Sequence, residues 1–270
     1  MFILQVNQLY IYALVLYYHR DNKFQDTFLK DITFMKIFTL IAGILALLLL
    51  LLSGPLYQAE ILGLMNAFFA MRIALILGVV AIILALMQII FMRKTISWPV
   101  TGIAVLCAGV AIFMPLSQMN KAKSVPPIHD ITTDLVNPPK FVAILPLRAE
   151  APNPAAYQGE EIASQQREAY PELQTQKYQQ TAQQVFDAAL TVVNNMGLKV
   201  VSSDKTLGLI EAYDTTTFFG FVDDVVIRIQ SDGQMTILDA RSKSRVGMSD
   251  IGKNAERLNA LITGVKNNLN

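Results

Sequence analysis

The sequence predicts a membrane-anchored protein: three transmembrane helices, then an α+β domain ordered as helix, four-stranded antiparallel meander and C-terminal helix. Three observations predict it. Charge is unevenly spread: the 270 residues are 53% hydrophobic and 16% charged, and between Ile37 and Asn120 the only charges are Glu60, Arg72, Arg93 and Lys94. Soluble domains carry about 25% charged residues, so the chain implies two solvents with a break near residue 120. The apolar part contains three long uncharged runs. Beyond residue 120 the pattern changes to helical and period-two amphipathicity.

The spans are expected at about 37–57, 73–92 and 99–117. A hydrocarbon core of about 30 Å takes roughly 20 apolar residues as a helix, the conformation that satisfies its own backbone in lipid. The short segment Ile61–Met71, bounded by Glu60 and Arg72, reads as an interfacial or re-entrant helix. Trp98, just after Arg93 and Lys94, fits an aromatic belt. Gln88, Gly102, Ala104 and Gly109 are suited to helix–helix contact in lipid. The single cysteine, Cys107, lies in an apolar run and reads as a small buried hydrophobe. With Lys30, Lys36, Arg93 and Lys94 on one side against Arg72, Lys121 and Lys123 on the other, the positive-inside rule places the N-terminus inside and the C-terminal domain outside the cytoplasm. Residues 1–34 lack a clean period, and Met35-Lys36 before the first span resembles a natural start. The expectation is that 1–34 is an upstream extension and 35–118 the membrane domain.

Residues 119–177 form a Pro-, Ala- and Gln-rich segment. Pro126-Pro127 and Pro138-Pro139 preclude a regular helix there. FVAILPL (141–147) suits one short strand, and 148–176 an extended loop with a helical turn near 160–169. The core of the domain is expected over 178–270. Ala182, Val185, Phe186, Ala189, Val193 and Met196 recur at three and four, predicting a helix over Tyr178–Met196 that Gly197 ends. Four strands follow at 198–203, 207–213, 224–230 and 234–241, with Asp232-Gly233 as a hairpin turn. The stripe Ile251, Ala255, Leu258, Ile262, Val265 and Leu269 predicts a last helix over Asp250–Leu269, with Ser249 or Asp250 as its N-cap.

Alternation assigns the polar groups to faces. Val225, Ile227, Ile229, Leu238, Ala240, Ile210 and Ala212 point toward the helices. Glu211, Arg228, Asp239 and Arg241 share the opposite face, where opposite charges across strands contribute roughly 0.2–1 kcal/mol each. The densest polar stretch runs from Asp239 to Leu258. Arg241, Ser244, Arg245 and Asp250 crowd the passage from strand to helix, and Asp250, Asn254 and Arg257 share a helix face. Arg228, Asp239, Arg241, Ser244, Arg245, Asp250, Asn254 and Arg257 are therefore the candidate ligand-binding residues, for a polar or anionic group at a helix N-terminus. The competing reading is a cap with ion pairs locking strand to helix. Asp223-Asp224 invites an acid/base reading, but neighbouring strand residues point to opposite faces. No catalytic residue, metal site or cofactor is assigned. His19, His129 and Cys107 are too scattered for zinc, there is no nucleophile elbow, phosphate loop or dinucleotide fingerprint, and a net charge of +1 argues against nucleic acid.

Three segments, PPIHDITTDLVNPPKF (126–141), FGFVDDVVIRI (219–229) and LDARSKSRVGMSDIGKNAERL (238–258), carry a resemblance. Together they look like the bacterial membrane-anchored family known as domain of unknown function 1499, over about residues 120–268. SGPLY after the first span is similar to the anchored members. The resemblance implies an envelope protein and brings no catalytic residues with it. The leading functional expectation is a non-enzymatic inner-membrane protein whose periplasmic domain binds a protein partner or a polar, anionic or lipid-like ligand. The alternatives are an envelope hydrolase or other enzyme using Asp223, Asp224 or Asp239, and an accessory subunit of a membrane complex. The lipid bilayer is the one partner common to all three.

Overall fold

A computed structural model describes residues 33–270 and divides into two units, one up to Leu116 and one from Ser117 to Asn270. The expected extension at 1–34 lies, apart from Thr33 and Phe34, outside the described residues.

Among the described residues, three helices are long and apolar enough to cross a membrane: α1 (Thr33–Gln58), α2 (Leu64–Phe91) and α3 (Trp98–Lys123), the last running on into the second unit. The helices meet through small side chains. Ala42 and Ala46 of α1, Ala74, Gly78, Ala81 and Ala85 of α2, and Ala104, Ala108 and Ala111 of α3 are buried, while Leu48, Ile83, Leu106 and Phe113 are exposed. Lipid is as apolar as leucine, so helices gain by close approach of small surfaces rather than by burying large ones. Gly43 shows the tightest approach: a Cβ there would come within 2.6 Å of the Ala104 carbonyl oxygen. Gln88, buried in α2, donates to Thr39 Oγ1 at 2.6 Å and accepts from Thr101 Oγ1 at 3.2 Å. It thus ties the three helices by one side chain. Ala104 is used in this packing between the chain's own helices, whereas Gly102 and Gly109 have open space around them.

The segment 61–71 corrects the sequence reading. From Leu64 it is the start of α2, not a separate interfacial or re-entrant helix. Arg72 is exposed within the continuous helix. Arginine is a good helix former, and its long stem lets the guanidinium reach the headgroup layer from two turns inside.

The second unit is a six-stranded antiparallel sheet with helices on one face. Its strands are β1 (Asp130–Thr132), β2 (Gln176–Tyr178), β3 (Lys199–Asp204), β4 (Leu209–Thr215), β5 (Val222–Asp232) and β6 (Met235–Ser244). The order is β1-β6-β5-β4-β3, with β2 also on β6. The meander β3–β6 is the one the alternation predicts. The two further strands pair in succession along the free edge of β6, Asp130 opposite Lys243 and Gln176 opposite Leu238. Two expectations change as a result. Residues 176–178 are strand, so the first helix of the domain core, α5 (Ala182–Asn195), begins later than Tyr178. It starts at a capping box, in which Gln184 N donates to Thr181 Oγ1 and Thr181 N donates to Gln184 Oε1. Residues 141–147 are a turn leading into a 3₁₀ helix (Leu145–Arg148) rather than a strand, because their amides are claimed by a carboxylate described below. The turn near 160–169 is a full helix, α4 (Glu160–Ala169).

Helices α5 and α6 (Lys253–Leu269) cover one face of the sheet. Val185, Ala189, Val192, Ala255, Leu258, Leu261 and Val265 form one core with Ile210, Ala212, Val225, Ile227, Leu238 and Ala240. In the β3–β4 turn, Gly208 is at φ +64 and a Cβ there would meet the Ile229 carbonyl oxygen at 2.0 Å, so only glycine fits.

The packing of the first unit predicts that Gly43→Leu, which must displace the Ala104 backbone, destabilises the helix bundle by about 1–3 kcal/mol. Gly102→Leu, facing open space, leaves it unchanged. Thermal unfolding of the detergent-solubilised protein, followed by the loss of monomer on size exclusion, distinguishes the two.

Candidate functional site

The face of the sheet away from α5 and α6 is not a solvent face. The segment from Thr133 to Tyr157 lies across it as a strap, with Phe141 and Ile144 packed on Val226. Beneath the strap lie the charged residues that alternation assigns to this face, and several more.

Asp130 is the centre. It is fully buried at the start of β1, opposite Lys243 of β6. Both its oxygens are held by Arg241 at 2.8 Å, through Nε and Nη2, and Lys243 Nζ donates to Oδ2 at 2.8 Å. The cations also bind the strap: Arg241 donates to the Pro139 and Ala155 carbonyls, and Lys243 to the Ala156 carbonyl at 2.9 Å. The Arg241 guanidinium lies over the Phe141 and Tyr157 rings, 5.0 and 5.4 Å from their centroids. Burial pulls the Lys243 ammonium below its usual pKa, with Asp130 opposing that shift. Burial and the nearby Asp130 charge push the Tyr157 phenol up to about 12.

Asp224 repeats the arrangement two strands away, on the other side of β6. It accepts from Arg148 at 3.0 Å and from Arg245 Nε and Nη2 at 2.9 and 2.7 Å. Arg148 and Arg245 then donate to the Asn153 and Leu147 carbonyls, fastening the strap again. Glu211 is bound wholly by amides: Val142, Ala143 and Ile144 donate to its carboxylate at 2.8–3.1 Å. Arg228 bridges Asp239 across the strand pair at 2.8 Å and Asp134 at 2.9 Å, while Thr133 and Thr175 donate to Asp239. On this face Arg148, Arg228, Arg241, Lys243 and Arg245 are thus matched in number by Asp130, Asp134, Glu211, Asp224 and Asp239.

On the helix side, Arg257 of α6 donates to Asp223 and Asp214 at 2.9 and 2.8 Å, and to Ser242 and Asn254. Asn254 donates to the His129 carbonyl and to Ser244 Oγ at 3.0 Å. Asp250 lies outside α6, whose N-cap is Gly252, but its carboxylate accepts from Gly252 N at 2.8 Å and Asn254 N at 2.7 Å and so serves the helix end. Burial raises the Asp250 pKa against those amides.

The eight candidate residues therefore fall into separate places. Arg241 and Arg245 lie under the strap with different acids, and Arg228 pairs with Asp239 further along the sheet. Ser244, Asp250, Asn254 and Arg257 gather beside α6. Asp223 and Asp224 point to opposite faces, as strand alternation requires. Asp130, Arg148, Lys243 and Asp214 were not among the candidates. For Lys243 a signal existed, since Asp239, Arg241 and Lys243 continue one period-two series. Asp130 sits in a short polar and Pro-rich segment, PPIHDITTD, where nothing local marks its role. Among the described residues, no group of three or more His, Cys, Asp and Glu side chains could hold a metal ion.

The network spans β1 to α6, and a model of the family described as "Protein of unknown function (DUF1499)" matches residues 130–265. The chain belongs to this family. The match begins at Asp130 itself, so the DUF1499 domain coincides with the sheet, its strap and its helices. No curated protein matches the chain.

His129, next to the central acid in the DUF1499 domain, is 6% exposed. Burial, then Lys243, lowers its pKa from 6.5, with Asp130 and the Met248 backbone opposing. The folded state binds this proton less readily than the unfolded one, so its contribution is neutral above pH 6.5 and turns destabilising as pH falls below it. The raised pKa of Asp250 acts in the opposite sense. Subtraction isolates the histidine: between pH 8 and 5, His129→Leu loses less stability than the parent in denaturant titrations. Asp130→Asn leaves Arg241 and Lys243 buried with no full countercharge and costs about 3–5 kcal/mol, read by the same titration at pH 7.

Proposed function

We propose that this DUF1499 protein is a non-enzymatic component of the bacterial inner membrane that binds an envelope protein partner through the outer surface of its extracytoplasmic domain. The observation that carries the reading is the closure of the charge network. Each candidate arginine is engaged by a carboxylate of the same domain, so the charges give rigidity rather than a receptive site. A polar or anionic ligand at Arg241, Arg245 or Arg257 would have to compete with buried acids at 2.7–2.9 Å. The enzymatic alternative meets the same obstacle, because both oxygens of Asp224 and of Asp239 accept from guanidinium or hydroxyl donors, and Asp223 Oδ2 accepts from Arg257. A general base needs a lone pair within reach of the substrate proton.

The distribution of Lys and Arg beside the spans supports the extracytoplasmic placement. A second reading, the accessory subunit, draws on α3. Gly102 and Gly109 are two turns apart on one face with open space at each Cβ position, a surface another membrane helix can approach closely.

Two measurements test the proposal. In a Cys107→Ser background, Leu207→Cys should react with a membrane-impermeant maleimide in intact spheroplasts; reaction only after lysis would place the domain in the cytoplasm. In vivo crosslinking of the full chain should yield a covalent adduct with an envelope protein. Arg257→Ala should lower the melting temperature yet keep that adduct below melting, whereas loss of the adduct in a folded variant would return the network to the role of binding site.

A further inference from the structure

At one end of the sheet, several loops converge and carry apolar side chains, two of them exposed. β1 starts there, β6 ends there, and the hairpin between β4 and β5 turns there. Backbone and side-chain bonds hold the loops together. Arg245 N donates to the Val222 carbonyl at 2.9 Å, Arg245 Nη1 to the Leu147 carbonyl at 2.6 Å, and the Asn153 amide to the Gly247 carbonyl at 2.8 Å. On this framework Met248 is 84% exposed and Leu147 50%. Beside them the β4–β5 turn carries half-buried Phe218, Phe219 and Phe221, Phe219 stacked on Phe221 with centroids 5.0 Å apart.

A lone exposed hydrophobe needs no explanation, but several on neighbouring loops do. The loop that carries Met248 is also constrained. It contains Gly247 at φ +96, Gly252 at φ +79 and the β-branched Ile251 at φ +57, a conformation that persists only where surrounding contacts impose it. Asp250 and Ser249 supply those contacts, accepting from Gly252 N and Ile251 N.

The occupant follows from the chain itself. α3 ends at Lys123 and β1 begins at Asp130, so six residues, Ser124–His129, join the last membrane-type helix to this same end of the sheet. Fully extended they reach roughly 20 Å. Lys121 and Lys123 in the last turn of α3 suit the headgroup region. The opposite end of the sheet, marked by Leu207 in the β3–β4 turn, has no such tether.

We propose that Met248, with Leu147 beside it, rests in the headgroup layer of the bilayer that the protein's own helices cross. The contact orients the DUF1499 domain on the membrane and leaves the Leu207 end for the aqueous partner. This rests on the anchoring reading and holds on either side of the membrane.

The test uses the full chain, Cys107→Ser, in phosphatidylcholine vesicles containing nitroxide-labelled lipid. Single cysteines at Met248→Cys, Leu147→Cys, Leu207→Cys and Phe113→Cys carry an environment-sensitive fluorophore. Phe113, exposed on α3, reports insertion itself. The proposal expects loss of fluorescence at 113, 147 and 248 and none at 207. Quenching at 113 with none at 147 and 248 overturns the surface contact while leaving the anchor intact. Equal quenching at 248 and 207 overturns the assignment to one end. No quenching at 113 overturns the anchoring on which the contact depends.

Discussion

A buried carboxylate that must be satisfied on both oxygens organises the domain. Asp130 is reached by Arg241 and Lys243, and each of these cations then requires further acceptors, which the strap carbonyls provide. Removing any charge from water is costly, and partial satisfaction is worse than none. The consequence is a chain of obligations. The acid fixes β1 to β6, the cations fix the strap to the sheet, and Glu211 fixes the turn at 142–144 by taking its amides. A segment rich in proline, with no regular secondary structure beyond one 3₁₀ turn, is thereby given a single path.

The two faces of the sheet are held by different physics. Toward α5 and α6 the contact is apolar and non-directional, and Val, Ile and Leu interdigitate. Under the strap it is directional, with bidentate arginines whose planar forks match carboxylates. Such pairs add less stability than their Coulomb attraction suggests, but they tolerate few alternative geometries. Arg257 and Asn254 carry the same logic round the edge, joining α6 to Asp214, Asp223 and the His129 backbone. The membrane unit follows a third rule, close contact of small residues, with Gln88 as a hydrogen-bonding group shared across α1, α2 and α3.

Much of this was legible in the sequence because it is local. Charge depletion marks the spans, since lipid excludes charge whatever the tertiary arrangement. Strand alternation assigns Glu211, Arg228, Asp239 and Arg241 to one face, and splits Asp223 from Asp224, because the pleat has period two. The failures are equally local in cause. Residues 141–147 look like a strand by composition, yet their amides answer to Glu211, 67 or more positions away. Tyr178 looks helical by periodicity, yet it pairs with Thr236 of β6. The start of α2 was hidden by Arg72, a charge that a helix accommodates when its side chain can reach water.

By itself, then, the sequence determined the division into membrane and sheet units, the four-stranded meander, its last hairpin and the facing of residues in β4, β5 and β6, all set by hydropathy and by periods of two and 3.6. Only the tertiary structure decided which acid neutralises which base. Asp130 and Lys243 are 113 positions apart, and their meeting depends on strand register and on the course of the strap. It therefore decided that each arginine of the polar cluster meets a carboxylate of its own domain. Charge–charge pairing is a property of distance in space, and no local pattern records it.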